Sequence, residues 1–477
     1  MKLTQRRITR PLSIAFLTTT VLSGCATFDV NESIGWTNEE AATFTGGNLE
    51  LARTAGQRAA RTEAATALLA EPLTRDSAVQ LALVNSPTIQ ALIARSWETG
   101  ASAAQTGRIP NPVFSFERLV SDDSQTKDLE RFIAFGLLDV LLLPMKKGVA
   151  ERGMESARVK LTSDVVAEVT AVRQAWTQAV AAKQLVAFAE QVRTSADASA
   201  EMGRRLESVG NFSRLERARQ QVFYADATMQ LATTRHEAVV AREKLIRALG
   251  LDDRQLAMLK LPERLPDLPA QPILPGEATQ TLGDRRLDVR MAKASLDRAA
   301  RAQGITNITS FTDIEVGYRE TKATGPEESE ELSGYEVEIS LPLFDWGNMR
   351  RDAMSAQTLA AGNEYAATLR NASSSLRETY SAYRTSFDLS SFYRDEVVPL
   401  RTLISEENVM QYNGMLIGVF ELLADSRTQT SSIMSAIEAS EQFWMADAAL
   451  QAAMMGRPMD ASVGTMAAAG GGEEAGH

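Results

Sequence analysis

The stretch Tyr335-Glu336-Val337-Glu338-Ile339-Ser340-Leu341 alternates without a break, then meets Pro342 and a long helical pattern from Met349 to about Tyr412. In an extended chain Tyr335, Val337, Ile339 and Leu341 point one way, and Glu336, Glu338 and Ser340 the other. Upstream, Ile314, Val316 and Tyr318 alternate with Glu315, Gly317 and Arg319. The same order occurs about 200 residues earlier. There Phe114 and Phe116 alternate with Ser115 and Glu117, and Ile133, Phe135 and Leu137 with Ala134 and Gly136. Leu143-Pro144 then leads into another long helical pattern, as Leu341-Pro342 does. The copies open at Asn85-Ser86-Pro87-Thr88-Ile89 and at Arg286-Leu287-Asp288-Val289. An internal repeat sets the whole architecture. Here the unit is two short strands and long helices, used twice, which points to a mainly α chain with a small β part.

The ends are read separately. Lys2, Arg6, Arg7 and Arg10 precede the apolar segment Leu12–Leu22, which is too short to span a bilayer comfortably. Leu22-Ser23-Gly24-Cys25 resembles the lipobox of a bacterial lipoprotein, which implies cleavage before Cys25 and lipidation of that cysteine. Ala26 follows, where inner-membrane retention favours Asp, so outer-membrane delivery is expected. Cys25 is the single cysteine, so no disulfide forms within one chain. Loss of the four basic residues takes the net charge from −11 to −15, which argues against a nucleic-acid partner. No other apolar run reaches about 18 residues, so any membrane crossing must use strands.

Six segments follow: signal 1–24, lead-in 25–72, first repeat 73–250, proline-rich linker 251–283, second repeat 284–455 and tail 456–477. A helix is expected at about 74–106, strands at 112–120 and 128–140 around the turn Ser121-Asp122-Asp123-Ser124, and a helix from Lys146 to about Ser208. The latter would reach about 90 Å at ~1.5 Å per residue. Leu161, Val165, Val169, Val172, Trp176 and Val180 form its apolar seam. A break at Gly210-Asn211-Phe212-Ser213 precedes a helix to about Leu249. Pro262, Pro266, Pro269, Pro272 and Pro275 rule out regular helix in the linker. The second copy is expected to place a helix at 284–304, strands at 311–320 and 334–342, and a helix from Met349 with its seam at Leu376, Tyr380, Tyr383 and Phe387. After a break at Gly414–Gly418, a last helix reaches about Met455.

The strand alternation fits an outer-membrane barrel, apolar outward and polar toward a lumen. It equally fits a half-buried sheet in a soluble domain. Four strands cannot close a barrel, and an open edge in hydrocarbon leaves backbone groups unpaired at several kcal/mol each. Three copies would supply twelve strands. The long rods, with no globular domain to cover their seams, make a second argument for oligomerisation.

Leu341-Pro342-Leu343-Phe344-Asp345-Trp346-Gly347-Asn348, leaving a strand for a long helix, resembles the outer membrane factor (TolC) family of efflux ducts. So does Arg286-Leu287-Asp288-Val289, with Leu287 in a usual proline slot. Gly210, Ser213 and Leu215 match the family's first helical tip, and Tyr412, Leu422 and Leu423 its second. In the second tip Met415 stands in the glycine slot and Gly418 in the serine slot; the repeat alone pairs Gly210 with Gly418 instead. Leu143-Pro144-Met145-Lys146-Lys147-Gly148 lacks the Phe-Asp-Trp of the second copy. The resemblance runs from about Leu73 to Met455. It implies a homotrimer, a twelve-stranded outer-membrane barrel with four strands per chain, and a long α-helical barrel entering the periplasm. It also implies tips that meet a periplasmic adaptor and, through it, an inner-membrane pump.

From this, Val209, Gly210, Phe212, Ser213, Tyr412, Gly414, Gly418 and Phe420 are candidate adaptor-docking residues, against a reading as plain turn residues. Glycine there permits a left-handed backbone. Asp425 is a candidate aperture residue, where like charges from three chains would select cations, or a solvated helical side chain. Glu327, Glu328, Glu330 and Glu331 read as a solvated loop. Trp346 and Tyr335 read as interfacial aromatics or as core. His236 and His477 offer no catalytic pairing, and no phosphate loop or triad order is present, so neither an enzyme nor a cofactor is expected. Met454, Met455, Met459, Met466 and His477 read as flexible filler, with a soft-metal reading behind it. The rival function is a periplasmic coiled-coil scaffold that forms no pore. The cargo, drug or heavy metal, is not written in the chain.

Overall fold

The computed structural model describes residues 27–120, 127–276, 285–324 and 329–459. Cys25, the turn Ser121–Ser124, Glu327, Glu328, the end of the linker and the tail from 460 lie outside the described residues.

The helices are α1 Val30–Glu40, α2 Ala42–Thr45, α3 Ala55–Leu68, α4 Arg75–Asn85 and α5 Pro87–Thr106. Strands β1 Val113–Val120 and β2 Lys127–Gly136 follow, then α6 Leu137–Leu141, α7 Leu143–Ser208, α8 Arg214–Leu249 and α9 Asp253–Leu256. The second copy supplies α10 Leu287–Thr309, β3 Ile314–Thr324, β4 Ser329–Ile339, α11 Asn348–Phe392, α12 Val398–Asn413 and α13 Val419–Met454. The helix expected at 74–106 is two helices bent by 54° at Ser86. Ser86 takes ψ 123 because the ring of Pro87 excludes the helical region for the residue before it. Strand β2 stops at Gly136 and a helical turn takes Leu137, so that residue leaves the alternation. Tyr393–Val397 forms a π-turn ahead of Pro399, which has no N–H to continue the α ladder. Glu330 and Glu331 lie in β4 opposite Ala323 and Lys322, so they are strand residues and not loop.

The chain forms two compact units. One holds the described residues of Met1–Ser33, Ala94–Lys160 and Val289–Leu369; the other holds Ile34–Ile93, Leu161–Asp288 and Arg370–His477. In the first unit the strands form one antiparallel sheet in the order β1-β2-β3-β4, so the hairpin of each copy meets the other's along β2 and β3. Both outer strands, β1 and β4, are exposed, and among the described residues each has one unpaired edge.

In the second unit the seams are core. Leu161, Val165, Val169, Val172, Trp176 and Val180 are all buried, as are Leu376, Tyr383 and Phe387. The latter three pack with Phe443, Leu450 and Ala453 of α13 and with Leu268 and Ile273 of the linker. Hydrogen bonds hold the proline-rich segment where regular structure cannot. The Ile273 amide donates to the Tyr383 hydroxyl at 3.1 Å, the Tyr380 hydroxyl donates to the Ile273 carbonyl at 3.1 Å, and the Trp444 indole donates to the Pro266 carbonyl at 3.2 Å. These seams therefore need no second copy to cover them. Of the two arguments for oligomerisation, the helical one does not hold along these stretches, and the open sheet edges carry it.

Candidate functional site: two helical reversals and a two-faced sheet

The first reversal joins α7 to α8. The Gly210 amide donates to Glu207 O and the Asn211 amide to Leu206 O, both at 2.9 Å, with Gly210 at φ +82. This is a left-handed helix stop of the Schellman kind. Ser213 then caps α8: its side chain accepts the Glu216 amide at 3.2 Å while the Glu216 carboxylate accepts the Ser213 amide at 2.8 Å. Hydrogen bonds from the Ser213 amide and hydroxyl to the Glu216 carboxylate hold it below the usual range. Val209 is exposed at the turn, and Phe212 is half-buried.

The second reversal joins α12 to α13 with the same hydrogen-bond offsets. The Met415 amide donates to Tyr412 O at 2.9 Å and the Leu416 amide to Gln411 O at 2.8 Å. Met415 therefore corresponds to Gly210, and Gly418, which caps α13, to Ser213. The pairing of Gly210 with Gly418 is excluded. The left-handed residue here is Met415, at φ +55; Gly414 and Gly418 sit at φ −81 and −82. The expectation that glycine supplies the left-handed backbone thus holds at Gly210 but not at Gly414 or Gly418. Tyr412, Met415 and Leu416 are exposed.

The two reversals touch. The rings of Phe212 and Phe420 have centroids 4.4 Å apart. Farther along the same helices, the Arg427 guanidinium lies 3.4 Å from the centroid of Phe223 and donates to Gln220 Oε1 at 2.9 Å. Its partners lie about 200 residues away in sequence, so no local pattern marks Arg427. Asp425, in the second turn of α13, is half-buried with Oδ2 buried and unpartnered.

The sheet is two-faced. Phe114, Ile133, Tyr318 and Tyr335 occupy one row, and Phe135, Val316 and Val337 another on the same face, whose next row, Phe116, Arg131, Glu320 and Ser333, carries an ion pair between Arg131 and Glu320. Tyr335 is 86 % exposed, and Phe114, Ile133, Phe135, Val337 and Ile339 are exposed with it. The opposite face carries Glu117, Glu130, Glu315, Glu336 and Glu338. There Arg319 bridges Glu130 and Glu336 and lies 4.7 Å from the Phe132 ring centroid. A side chain at position 317 would strike the Phe132 ring at 2.3 Å, which accounts for Gly317. The alternation alone puts Arg319 on the polar face; its bridging role depends on pairing across the repeats.

No family model and no curated protein sequence matches the chain. Solved structures do. The CmeC outer membrane channel of Campylobacter jejuni aligns with TM-score 0.67 at 11% identity, over 87% of this chain and 91% of that one. A membrane protein from Pseudomonas aeruginosa aligns with TM-score 0.66 at 17% identity, over 84% and 92%. The outer membrane protein VceC of Vibrio cholerae aligns with TM-score 0.65 at 13% identity, over 83% and 96%. The chain therefore has the fold of the outer membrane factor (TolC-like) channels.

Proposed function

We propose that this chain is the outer-membrane exit duct of a tripartite efflux system, working as a homotrimer and without catalysis or cofactor. The observation that carries the reading is the sheet: a face that is exposed and apolar from the row of Ile314 and Ile339 to the row of Tyr318 and Tyr335 and charged beyond it, a polar opposite face, and on each side one edge that no other described strand pairs. An exposed apolar face of this size marks a surface that meets lipid or protein, and open edges call for further strands. Because β1 and β4 run antiparallel, β4 of one copy can pair with β1 of the next, and three copies give twelve strands around the carboxylate-lined face. The fold likeness to outer-membrane channels supports the same reading.

The two reversals are the docking surface for a periplasmic adaptor, which would link the duct to an inner-membrane pump. Val209, Gly210, Phe212 and Ser213 serve in one, and Tyr412, Gly414, Gly418 and Phe420 in the other. Asp425, in the second turn of α13, lines the aperture. Cys25 carries the lipid anchor in the outer membrane. The deciding experiment is purification in detergent followed by planar-bilayer recording. A trimer that conducts ions supports the duct; a water-soluble protein with no conductance supports the scaffold instead.

A further inference from the structure

Between β4 and α11 the chain displays an unusual density of uncovered apolar side chains. Phe344 is 99 % exposed and Trp346 60 %, and Leu341, Leu343 and Met349 are exposed beside them. The segment is nevertheless built. Gly347 sits at φ +67, with Ser310 O only 2.5 Å from where a Cβ would stand. Its amide donates to Asp345 Oδ1 at 2.8 Å. Arg351 donates to Trp346 O and Ser310 Oγ, both at 2.8 Å, and lies 4.3 Å from the Phe311 ring centroid. Phe344 and Trp346 are thus held outward by a braced turn.

Beside the turn lies a cleft of about 600 Å³ lined by Asp139, Phe311, Asp313, Phe344, Asp345 and Arg350. Arg350 is exposed. The first copy repeats the order: exposed Val140, Leu141 and Met145 follow β2 and precede Lys146 and Lys147.

We propose that Leu341–Arg350 is a phospholipid-binding site at the membrane boundary, taking a zwitterionic headgroup. Leu343, Phe344 and Trp346 enter the boundary of the acyl region, and Arg350 takes the phosphate. The occupant is assigned from two features. Leu341 continues the alternation of Tyr335, Val337 and Ile339, so the segment is continuous with the sheet face assigned to lipid. Aromatic side chains with a polar handle suit that depth. The cleft also sets the Arg350 guanidinium beside the carboxylates of Asp313 and Asp345, Asp139 being paired with Lys146, and a cation beside two carboxylates favours a headgroup bearing phosphate and ammonium over a purely anionic one. The proposal rests on the outer-membrane reading above.

The test uses the full-length protein in vesicles of phosphatidylcholine brominated near the carbonyl end of the acyl chain. Bromine quenches nearby tryptophan, so wild type should lose at least one third more of its emission than Trp346→Phe. Equal quenching in both, with conductance intact, overturns the site and leaves the duct standing; it is the result expected if a neighbouring copy covers Trp346. A protein that neither floats with vesicles nor conducts overturns both. In mixed vesicles, brominated phosphatidylcholine should quench Trp346 about twofold more than brominated phosphatidylglycerol at equal mole fraction. Arg350→Ala should lower the quenching by both. Quenching that favours the anionic lipid overturns the headgroup assignment.

Discussion

The ring of Phe212, at the turn between α7 and α8, packs against that of Phe420, at the start of α13, with centroids 4.4 Å apart. Two reversals more than 200 residues apart in sequence are thereby coupled at their tips. Aromatic pairs contribute about 0.5–1.5 kcal/mol beyond area burial. Phe212→Ala and Phe420→Ala should each raise amide exchange in both reversals, and the double variant should add less than the sum of the two. A coupling of about 1 kcal/mol is expected in that cycle. Strictly additive effects would mean that the two reversals open independently.

The backbones of the two reversals match, but the residues on them do not. Met415 holds the left-handed position that Gly210 holds in the first, a conformation that costs a side-chain-bearing residue about 1–2 kcal/mol. Met415→Gly should therefore stabilise the second reversal by about 1 kcal/mol, and Gly210→Ala should destabilise the first by a similar amount. Gly418 occupies the capping position of Ser213, with open space where a side chain would begin and Glu421 already three residues on. Gly418→Ser should complete the capping box and add a few tenths of a kcal/mol. Exchange protection of the first amides of α13 measures the two changes at the second reversal, and that of the first amides of α8 measures Gly210→Ala. A loss of protection in Met415→Gly would remove the strain assignment.

How much the sequence reveals follows the range of the interactions involved. Period-two alternation over a strand is local, so Tyr335, Val337 and Ile339 separate from Glu336 and Glu338 without coordinates. Gly210 and Ser213 mark a helix stop and a cap for the same reason. Two further breaks also have local causes that hydrophobic periodicity hides. Pro87 bends the helix expected at 74–106, and Pro399 forces the π-turn at Tyr393–Val397. The pairing of β2 with β3 joins residues about 190 apart, as Arg131 with Glu320, and nothing local specifies it. The same holds for Arg427 on Phe223. The seam at Leu161–Val180 is legible, but not what covers it, because that depends on which helices arrive.

Burial lifts the Glu441 carboxyl of α13 to about 7; Glu438 and Glu237 push it the same way and Lys244 opposes them. An acid whose pKa is higher folded than unfolded binds more protons when folded. Its contribution is complete below the usual value near 4.5 and is lost as pH rises toward about 7, then stays constant. The span is at most about 3 kcal/mol. Glu441→Gln should shrink the fall in thermal midpoint between about pH 5 and pH 8, with Glu438 and Asp447, both also raised, keeping a residual slope. An unchanged slope would place the titration elsewhere.

Adjacent residues of β3 give the sharpest discrimination between a lipid-facing sheet and a soluble one. Val316 shares its face with Phe135 and Val337, while Glu315 shares the opposite face with Glu338. In a barrel, Val316→Lys places a charge in hydrocarbon, at about 2–4 kcal/mol near the midplane for each chain, and three copies triple the penalty. Glu315→Lys places its charge in the aqueous lumen, where it costs little but changes the charge lining the passage. Val316→Lys should therefore abolish insertion, measured as protein in the outer-membrane fraction. Glu315→Lys should insert normally and move the reversal potential in a salt gradient toward anion selectivity. A soluble sheet covered on its apolar face would also be damaged by the first change, so the second is decisive. Only a residue lining the conducting path can shift selectivity without disturbing assembly, and an unmoved reversal potential would place Glu315 outside it.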